Sequence, residues 1–254
     1  MFNAVPPLPR GGSGPGYLPS PLHRLLLAVI CFSLLNACDD FQYPRDPKGT
    51  LNRVLDTQQM TVAVVEHPPW VILSGEGTPR GAEVELLEAF ARDLGAAIEW
   101  RRLPHFEALK GLEWGDLDLA VGSFEEEAVL PISGVGPTYA YFEEEILVAH
   151  RPGVTAPQRL EGQRVFVPAN QAVSALVRQQ RGTPTQELTD AISLAALPRW
   201  QLESRGFLPG PITLRRARHV MAVPEGENAW LLRLERFLRL QSDRLPDRLG
   251  RYQE

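Results

Sequence analysis

A strand, a loop and a helix are predicted between residues 61 and 94. Thr61–Val65 is a short apolar run rich in β-branched residues, which is typical of a buried strand. Pro68 and Pro69 end this run, because proline donates no hydrogen bond to a sheet. A glycine-rich loop follows, and apolar side chains then recur at helical spacing until Gly95. Ligands of open α/β sheets lie at the carboxyl ends of strands, so we expect a ligand beside this loop.

Later apolar patterns predict more elements of both kinds. Further strands are predicted over Ala97–Trp100, Asp118–Gly122, Ile146–Ala149, Arg164–Val167, Ile212–Leu214 and His219–Pro224. Further helices are predicted over Phe106–Leu112, Val173–Gln180, Leu188–Leu197 and Asn228–Leu240. Strands that alternate with helices favour an α/β fold.

Short motifs in a fixed order carry a family resemblance. After Pro68-Pro69-Trp70 come Gly81, Glu85-Leu86, Ala89-Phe90-Ala91 and Leu94-Gly95, then Gly115 and Asp118, and later Leu160–Val167. This order resembles the type 3 family of periplasmic solute-binding proteins. The resemblance implies an α/β, two-lobed, type II periplasmic-binding-protein-like fold, in which each lobe is a mostly parallel sheet flanked by helices.

The resemblance also implies a division of the chain. We expect a signal peptide with a lipobox over 1–37 and a tether over 38–56. Lobe 1 is expected over 57–149 together with 219–254, and a short lobe 2 over 150–218. The lobes are expected to close about a hinge near 148–152 and 218–220.

The N-terminal segment has the pattern of an export signal. His23 and Arg24 precede Leu25–Leu35, an apolar run of 11 residues that is too short to span a bilayer and fits a signal peptide. The run leads into Leu35-Asn36-Ala37-Cys38, which resembles a bacterial lipobox, so Cys38 is the expected lipidation site. Asp39 and Asp40 resemble an inner-membrane retention signal, which implies a periplasmic protein held at that membrane. An ordinary signal peptide with a chance cysteine is the alternative.

Charge argues against a nucleic-acid partner. The formal net charge is −5, and it becomes −7 without residues 1–37, which hold two arginines and no acidic residue. Cys31 would leave with the signal peptide, so we expect no disulfide within the mature chain.

The expected ligand site draws on seven residues: Trp70, Arg80, Glu83, Ser123, Phe124, Tyr139 and Asn170. Asn170 also suits a helix cap. Amino-acid-binding members of the family hold the ligand's carboxylate with an arginine, yet no Arg or Lys occurs from Gly111 to Ala149. We therefore expect a small polar solute, not necessarily an amino acid. Glu125–Glu127 and Glu143–Glu145 are interpreted as solvated surface, so no metal site, cofactor or catalytic residue is expected.

The expected function is capture of a small solute for an ABC-type permease in the inner membrane. One alternative is an interaction or sensory module of the same fold, which a filled cleft would favour. A less favoured alternative is a dehydratase-like enzyme, which would need cationic groups for an acidic substrate. Only residues 241–254 follow the last predicted helix, so we expect no fused catalytic domain.

Overall fold

The computed structural model describes residues 46–252, apart from Glu76 and Ala169. The expected signal peptide, Cys38 and most of the tether lie outside the described residues. The helices are α1 (Thr50–Thr57), α2 (Ala82–Leu94), α3 (His105–Trp114), α4 (Glu126–Val129), α5 (Gln171–Gln179), α6 (Asn228–Arg239) and α7 (Leu245–Arg251). The strands are β1 (Gln59–Val64), β2 (Ala97–Arg102), β3 (Leu119–Glu125), β4 (Val135–Pro137), β5 (Phe142–His150), β6 (Arg164–Phe166), β7 (Thr183–Thr185), β8 (Leu194–Pro198) and β9 (Leu208–Pro224). Over residues 46–252, with those two gaps, no helix has the length and apolarity needed to cross a membrane.

The strands form one mixed sheet in the order β2-β1-β3-β9-β5-β8-β6-β7, with β4 beside β9. β1 runs parallel to β2 and β3, and β6 runs parallel to β7 and β8. The long strand β9 is antiparallel to both β3 and β5 and so joins the two parallel groups. We call the part around β1 lobe 1, and the part of the sheet that runs from β5 through β8 and β6 to β7 lobe 2. The paired strands β5 and β9 join the lobes, and we call them the crossing strands. The α/β, two-lobed fold class implied by the sequence is confirmed.

Lobe 1 buries side chains on both faces of its sheet, because neighbouring residues of a strand point to opposite sides. Val62 and Val64 of β1 pack on one face with Phe90 of α2 and Trp230 of α6. Ala63, between them, packs on the other face with the apolar side of α3. The apolar stripe of α2, which the sequence predicted, thus covers one face of the lobe 1 sheet.

Lobe 2 is covered differently on its two faces. Ile146 and Val148 of β5 lie beneath Val173 and Val177 of α5. The opposite face is covered by Ile192, Leu202 and Phe207, which belong to loops and turns rather than to a helix. Loops and turns thus form the second layer of this lobe.

Two predictions for the second half of the chain were wrong. No helix covers Leu188–Leu197: a loop leads to β8, which pairs with β5 and β6. A strand buried on both faces is a continuous apolar run, which periodicity cannot separate from a buried helix. The return strand was also predicted too short, because β9 begins at Leu208 and crosses both lobes.

Asp118 stabilises the start of lobe 1. Its Oδ2 accepts a hydrogen bond from the Thr61 amide at 2.8 Å, and its Oδ1 pairs with Arg53. The Trp230 indole donates to the Asp118 carbonyl at 2.8 Å. The carboxylate thus ties α1 to the sheet.

Candidate ligand-binding site

A cavity of about 230 Å³ lies between the two lobes. Its walls come from segments that follow β1, β6 and β8, so it lies at the carboxyl ends of three strands. The lining consists of His67, Pro68, Pro69, Trp70, Glu144, Ile146, Val167, Pro168, Asn170, Val173, Ala196, Pro198, Trp200 and Gln201. Apolar and aromatic walls with a few polar groups are the usual composition of a small-molecule site.

The loop that carries Trp70 is held against the start of α2. The amides of Ala82 and Glu83 donate to the carbonyls of Pro69 and Trp70, both at 3.1 Å. Gly81 is required between these contacts: its φ is 127°, and a Cβ there would lie 2.3 Å from the Trp70 carbonyl oxygen. Trp70 is therefore fixed in place, with 2 % of its surface exposed.

Trp70 packs against the strands that join the lobes. Its ring stacks on His219 of β9, with centroids 4.5 Å apart and an interplanar angle of 29°. It also makes an edge-to-face contact with Phe142 of β5, with ring centroids 5.4 Å apart. The tryptophan thus links the first loop of lobe 1 to both crossing strands.

Glu144 supplies the carboxylate of the cavity. Its side chain is 14 % exposed, and its Oε1 accepts a hydrogen bond from the Trp200 indole at 3.1 Å. Its Oε2 faces His219 Nε2 at 3.9 Å, which is too long for a hydrogen bond. Burial alone would raise the pKa of Glu144, but His219 and the Trp200 N–H together hold that pKa below its ordinary value. The carboxylate is therefore charged at neutral pH.

A buried polar chain continues from Glu144 into lobe 1. We use this name for Glu144, His219, Ser123 and Glu83. His219 Nδ1 lies 3.1 Å from Ser123 Oγ, and the Ser123 amide donates to Glu83 Oε2 at 3.0 Å. The Tyr141 hydroxyl also donates to Glu83. This buried polar chain connects α2, β3, β9 and β5 beneath the cavity.

Burial sets the protonation of two further groups near the cavity. It raises the pKa of Glu83, and the hydrogen bonds from Tyr141 and Ser123 oppose that rise only in part. His67 lies at the rim, where desolvation and the nearby His219 lower its pKa. His67 is therefore neutral at pH 7, and Glu144 dominates the charge of the lining.

The residues predicted for the site fall into three groups in the structure. Trp70 and Asn170 line the cavity, while Glu83 and Ser123 lie beneath it in the polar chain. The remaining three lie elsewhere. Phe124 is buried against α3 beside His105, at 4.8 Å between ring centroids. Arg80 is exposed in the loop before α2, and Tyr139 lies under Arg239 of α6. These assignments remain predictions about ligand contact.

Sequence reasoning missed Glu144, Trp200 and Gln201 as lining residues. Alternation along a strand was the available signal for Glu144, because consecutive carboxylates point to opposite faces. Glu144 turns into the cavity together with Ile146, while Glu143 is 75 % exposed. Trp200 and Gln201 lie in a 3-10 turn after β8, where the sequence suggested a helix ending.

Comparison with known families settles the class of the protein. The profile of the bacterial extracellular solute-binding proteins, family 3, matches residues 60–241. The chain belongs to this family. The match covers both lobes and every segment that lines the cavity.

Curated relatives match a smaller part of the chain. Membrane-bound lytic murein transglycosylase F of Vibrio cholerae is 28 % identical over 132 residues, which is 50 % of this chain and 23 % of that protein. The protein of the same name from Mannheimia succiniciproducens is 27 % identical over 143 residues, 54 % of this chain and 29 % of the relative. The chain thus spans about a quarter of the length of these relatives.

Solved structures share the family 3 fold at low identity. An ancestral cationic amino acid solute-binding protein superposes with a TM-score of 0.60 and 12 % identity, covering 81 % of this chain and all of that one. The L-cystine solute receptor of Neisseria gonorrhoeae, in its unliganded open conformation, superposes with a TM-score of 0.61 and 12 % identity. The match covers 80 % of this chain and 96 % of the receptor. These likenesses concern the fold alone.

In this family 3 member, none of the described residues that line the cavity is Arg or Lys. The arginines along the crossing strands instead have carboxylate partners: Arg215 pairs with Glu125 and Arg218 with Glu126. Glu125 at the end of β3 and Glu126 at the start of α4 thus neutralise two arginines of β9.

Proposed function

We propose that the protein captures a small polar solute in the cavity between its lobes. The observation that supports this most is the convergence of three strand ends, one from lobe 1 and two from lobe 2, on a single cavity. A solute held there contacts both lobes and therefore favours their closed arrangement over an open one.

The crossing strands provide a hinge for that closure. β5 and β9 pair along their whole shared length, with register shifts between Ile146 and Leu147 and between Val148 and Ala149. Irregular pairing of this kind bends strands and is common beside functional sites. We expect solute to lower the radius of gyration in X-ray scattering, as hinge closure does.

We also propose a place and a partner for this binding protein. It is exported to the periplasm, carries lipid on Cys38 and delivers its solute to an inner-membrane permease. The hydrophobic run before Cys38 and the acidic pair after it support the anchor. Labelling with a radioactive fatty acid tests it, because Cys38→Ser would lose the label and the wild type would keep it.

A thermal-shift screen tests the binding function directly. The soluble chain from Asp40 onward is screened against amino acids, amines, organic acids, sugars and short peptides. A solute present at a hundred times its dissociation constant adds about 2.7 kcal/mol to the free energy of unfolding. Trp200→Ala removes one wall of the cavity and should abolish the shift.

Trp114→Ala is the matched control for that variant. Trp114 is 71 % exposed at the end of α3 and does not line this cavity, so its replacement should leave the shift intact. A cooperative melt that no compound shifts would contradict solute binding.

A second function is an interaction module of the same fold. The relatives named lytic murein transglycosylase F match this chain over only about a quarter of their length, so related sequence occurs as part of larger proteins. On lobe 1, Phe106 and Trp114 are exposed beside a groove of about 640 Å³. Co-sedimentation with purified murein, lost in Trp114→Ala, together with a silent solute screen, would favour this function.

We propose that the protein is not an enzyme. Ser123, His219 and Glu144 follow one another as in a hydrolase triad, but neither Ser123 nor His219 is among the described lining of the cavity. A nucleophile must reach substrate, and this hydroxyl is buried against the imidazole. A dehydratase of acidic substrates is also disfavoured, because the described lining lacks Arg and Lys.

A further inference from the structure

Gln201 and Glu144 offer hydrogen-bond acceptors to a ligand in the cavity. Gln201 lines the wall, and its Oε1 is buried without a hydrogen-bond partner among the described residues. Glu144 Oε2 lies 3.9 Å from His219 Nε2, which is beyond hydrogen bonding, and it is the charged acceptor of the lining. A buried acceptor without a donor costs free energy, so a ligand that brings N–H groups is favoured at both positions.

The walls suit a positive charge. Trp70 and Trp200 both belong to the lining, and the Trp200 indole N–H donates to Glu144 of β5. An ammonium group is attracted both by the faces of indole rings and by a partly buried carboxylate. The prolines at the loop ends add apolar surface for a short carbon skeleton.

A carboxylate on the ligand would find no Arg or Lys among the described residues of the lining. The described lining contains no Arg or Lys, and His67 at the rim is neutral at pH 7. Arg199, which precedes Trp200, is already bound to Glu145 at 2.6 Å, and Arg216 pairs with the same carboxylate at 3.2 Å. An amino acid would therefore bring its anionic group close to Glu144 without a cationic partner to offset the repulsion.

We propose that the cavity binds a small organic primary ammonium ion that carries no carboxylate. This inference rests on the proposed function and names the ligand class of the same cavity. Glu144 holds the ammonium group, Gln201 accepts one of its N–H bonds, and the two tryptophans cover the adjoining carbons.

Matched pairs of compounds test whether the cavity prefers a ligand without a carboxylate. Lysine is compared with cadaverine, tyrosine with tyramine, and serine with ethanolamine, by calorimetry at pH 7 and low salt. Each pair differs only by the carboxylate. We expect at least one amine to bind, and to bind at least about tenfold more tightly than its amino acid, since burying a charged carboxylate without a cationic partner costs that much or more.

Substitutions of Glu144 and Gln201 test whether these side chains bind the ammonium group. Glu144→Gln keeps the shape and removes the charge, so amine affinity should fall by roughly tenfold to a hundredfold. Glu143→Gln removes the neighbouring, exposed charge and should leave affinity unchanged. Gln201→Leu removes the acceptor without altering Glu144 and should also weaken the amine, which keeps the test valid if Glu144→Gln fails to fold.

The outcomes separate this inference from the proposed function. An amino acid that binds as tightly as its amine, or amine affinity unchanged in both Glu144→Gln and Gln201→Leu, overturns the inference and leaves solute binding in place. Binding of neutral solutes alone does the same. A quaternary amine such as choline that binds as tightly as ethanolamine argues against the N–H contacts. Silence of the whole solute panel overturns both.

Discussion

Lobes 1 and 2 have similar parallel strands but cover them in different ways. In lobe 1, helices lie on both faces of the sheet, and each face has a buried apolar cluster. In lobe 2, α5 covers one face, and loops and turns cover the other. The floor of the cavity, with its polar chain, belongs mainly to lobe 1 and the crossing strands. Trp200 and Gln201 lie in a turn of lobe 2.

This difference in covering predicts a rigid lobe 1 and a more adaptable lobe 2. A side chain fixed between two layers cannot shift without disturbing both, whereas loop residues tolerate rearrangement more readily. We infer that lobe 1 sets the stability of the protein and that lobe 2 adjusts to the solute. Three predictions test this comparison.

The largest effect is expected from Trp230→Ala in lobe 1. Trp230 is fully buried between α2 and the sheet, and its indole donates to the Asp118 carbonyl. Its removal should lower the free energy of unfolding by about 3–5 kcal/mol. Phe207→Ala in lobe 2 is the comparison, with an expected cost at the lower end of this range, about 3 kcal/mol, because the turns around it can collapse into the space.

Urea denaturation measures both variants, and amide hydrogen exchange shows where they act. Exchange in β6 and β7 should be faster than in β1 and β3 of the wild type, because less structure covers the former. Equal costs for the two variants, or equal protection of the two sheets, would contradict the comparison.

An intermediate effect is expected at Glu83 beneath the cavity. Glu83→Ala leaves the Ser123 amide and the Tyr141 hydroxyl without an acceptor, which should cost about 1–3 kcal/mol. Glu83→Gln keeps an acceptor and should cost less. The two variants thus separate the hydrogen bonds from the charge.

The pH dependence of Glu83→Gln has a definite sign. Burial raises the pKa of Glu83 in the folded state above its ordinary value of 4.5. The contribution of this group to stability is therefore complete below pH 4.5 and is lost as the pH rises through the raised pKa. Glu83→Gln lacks this loss, so its stability relative to the wild type should improve from pH 4.5 toward neutrality. A constant difference in urea midpoint over that range would show that burial does not perturb the carboxyl.

The sequence predicted lobe 1 better than lobe 2 for a physical reason. Amphipathic helices such as α2 and α6 carry a period that marks both their type and their buried face. β8 is apolar on both faces and has no period, so it was mistaken for part of a helix. Its strand state depends on pairing with β5 and β6, which are distant in sequence.

The cavity lining was only partly predictable for a related reason. Trp70 follows a recognisable strand and a pair of prolines, so its place near a strand end could be predicted locally. To predict Glu144 as a lining residue, the register of β5 had to be known. To predict Trp200, the position of β8 had to be known. Phe124, expected near ligand, lies on the opposite face of β3 because alternation directs it toward α3.

The smallest effect is expected at Asn170, on the lobe 2 side of the cavity. Its Oδ1 caps α5 by accepting the Val173 amide at 3.1 Å, and the residue also lines the cavity. Asn170→Ala should cost about 1 kcal/mol, while Asn170→Asp keeps an acceptor for the cap and should cost less. Gln171→Ala, in the exposed first turn of the same helix, is the control.

Affinity separates the two roles of Asn170. Asn170→Asp adds a second negative charge to the cavity, so it should tighten the binding of an amine and leave the thermal midpoint of the free protein nearly unchanged. If Asn170 serves only as a cap, the aspartate variant would bind with unchanged affinity and the alanine variant would lose only stability. Because the residue lies on the lobe that we expect to adapt, a change in affinity without a change in stability would also support the division of roles between the lobes.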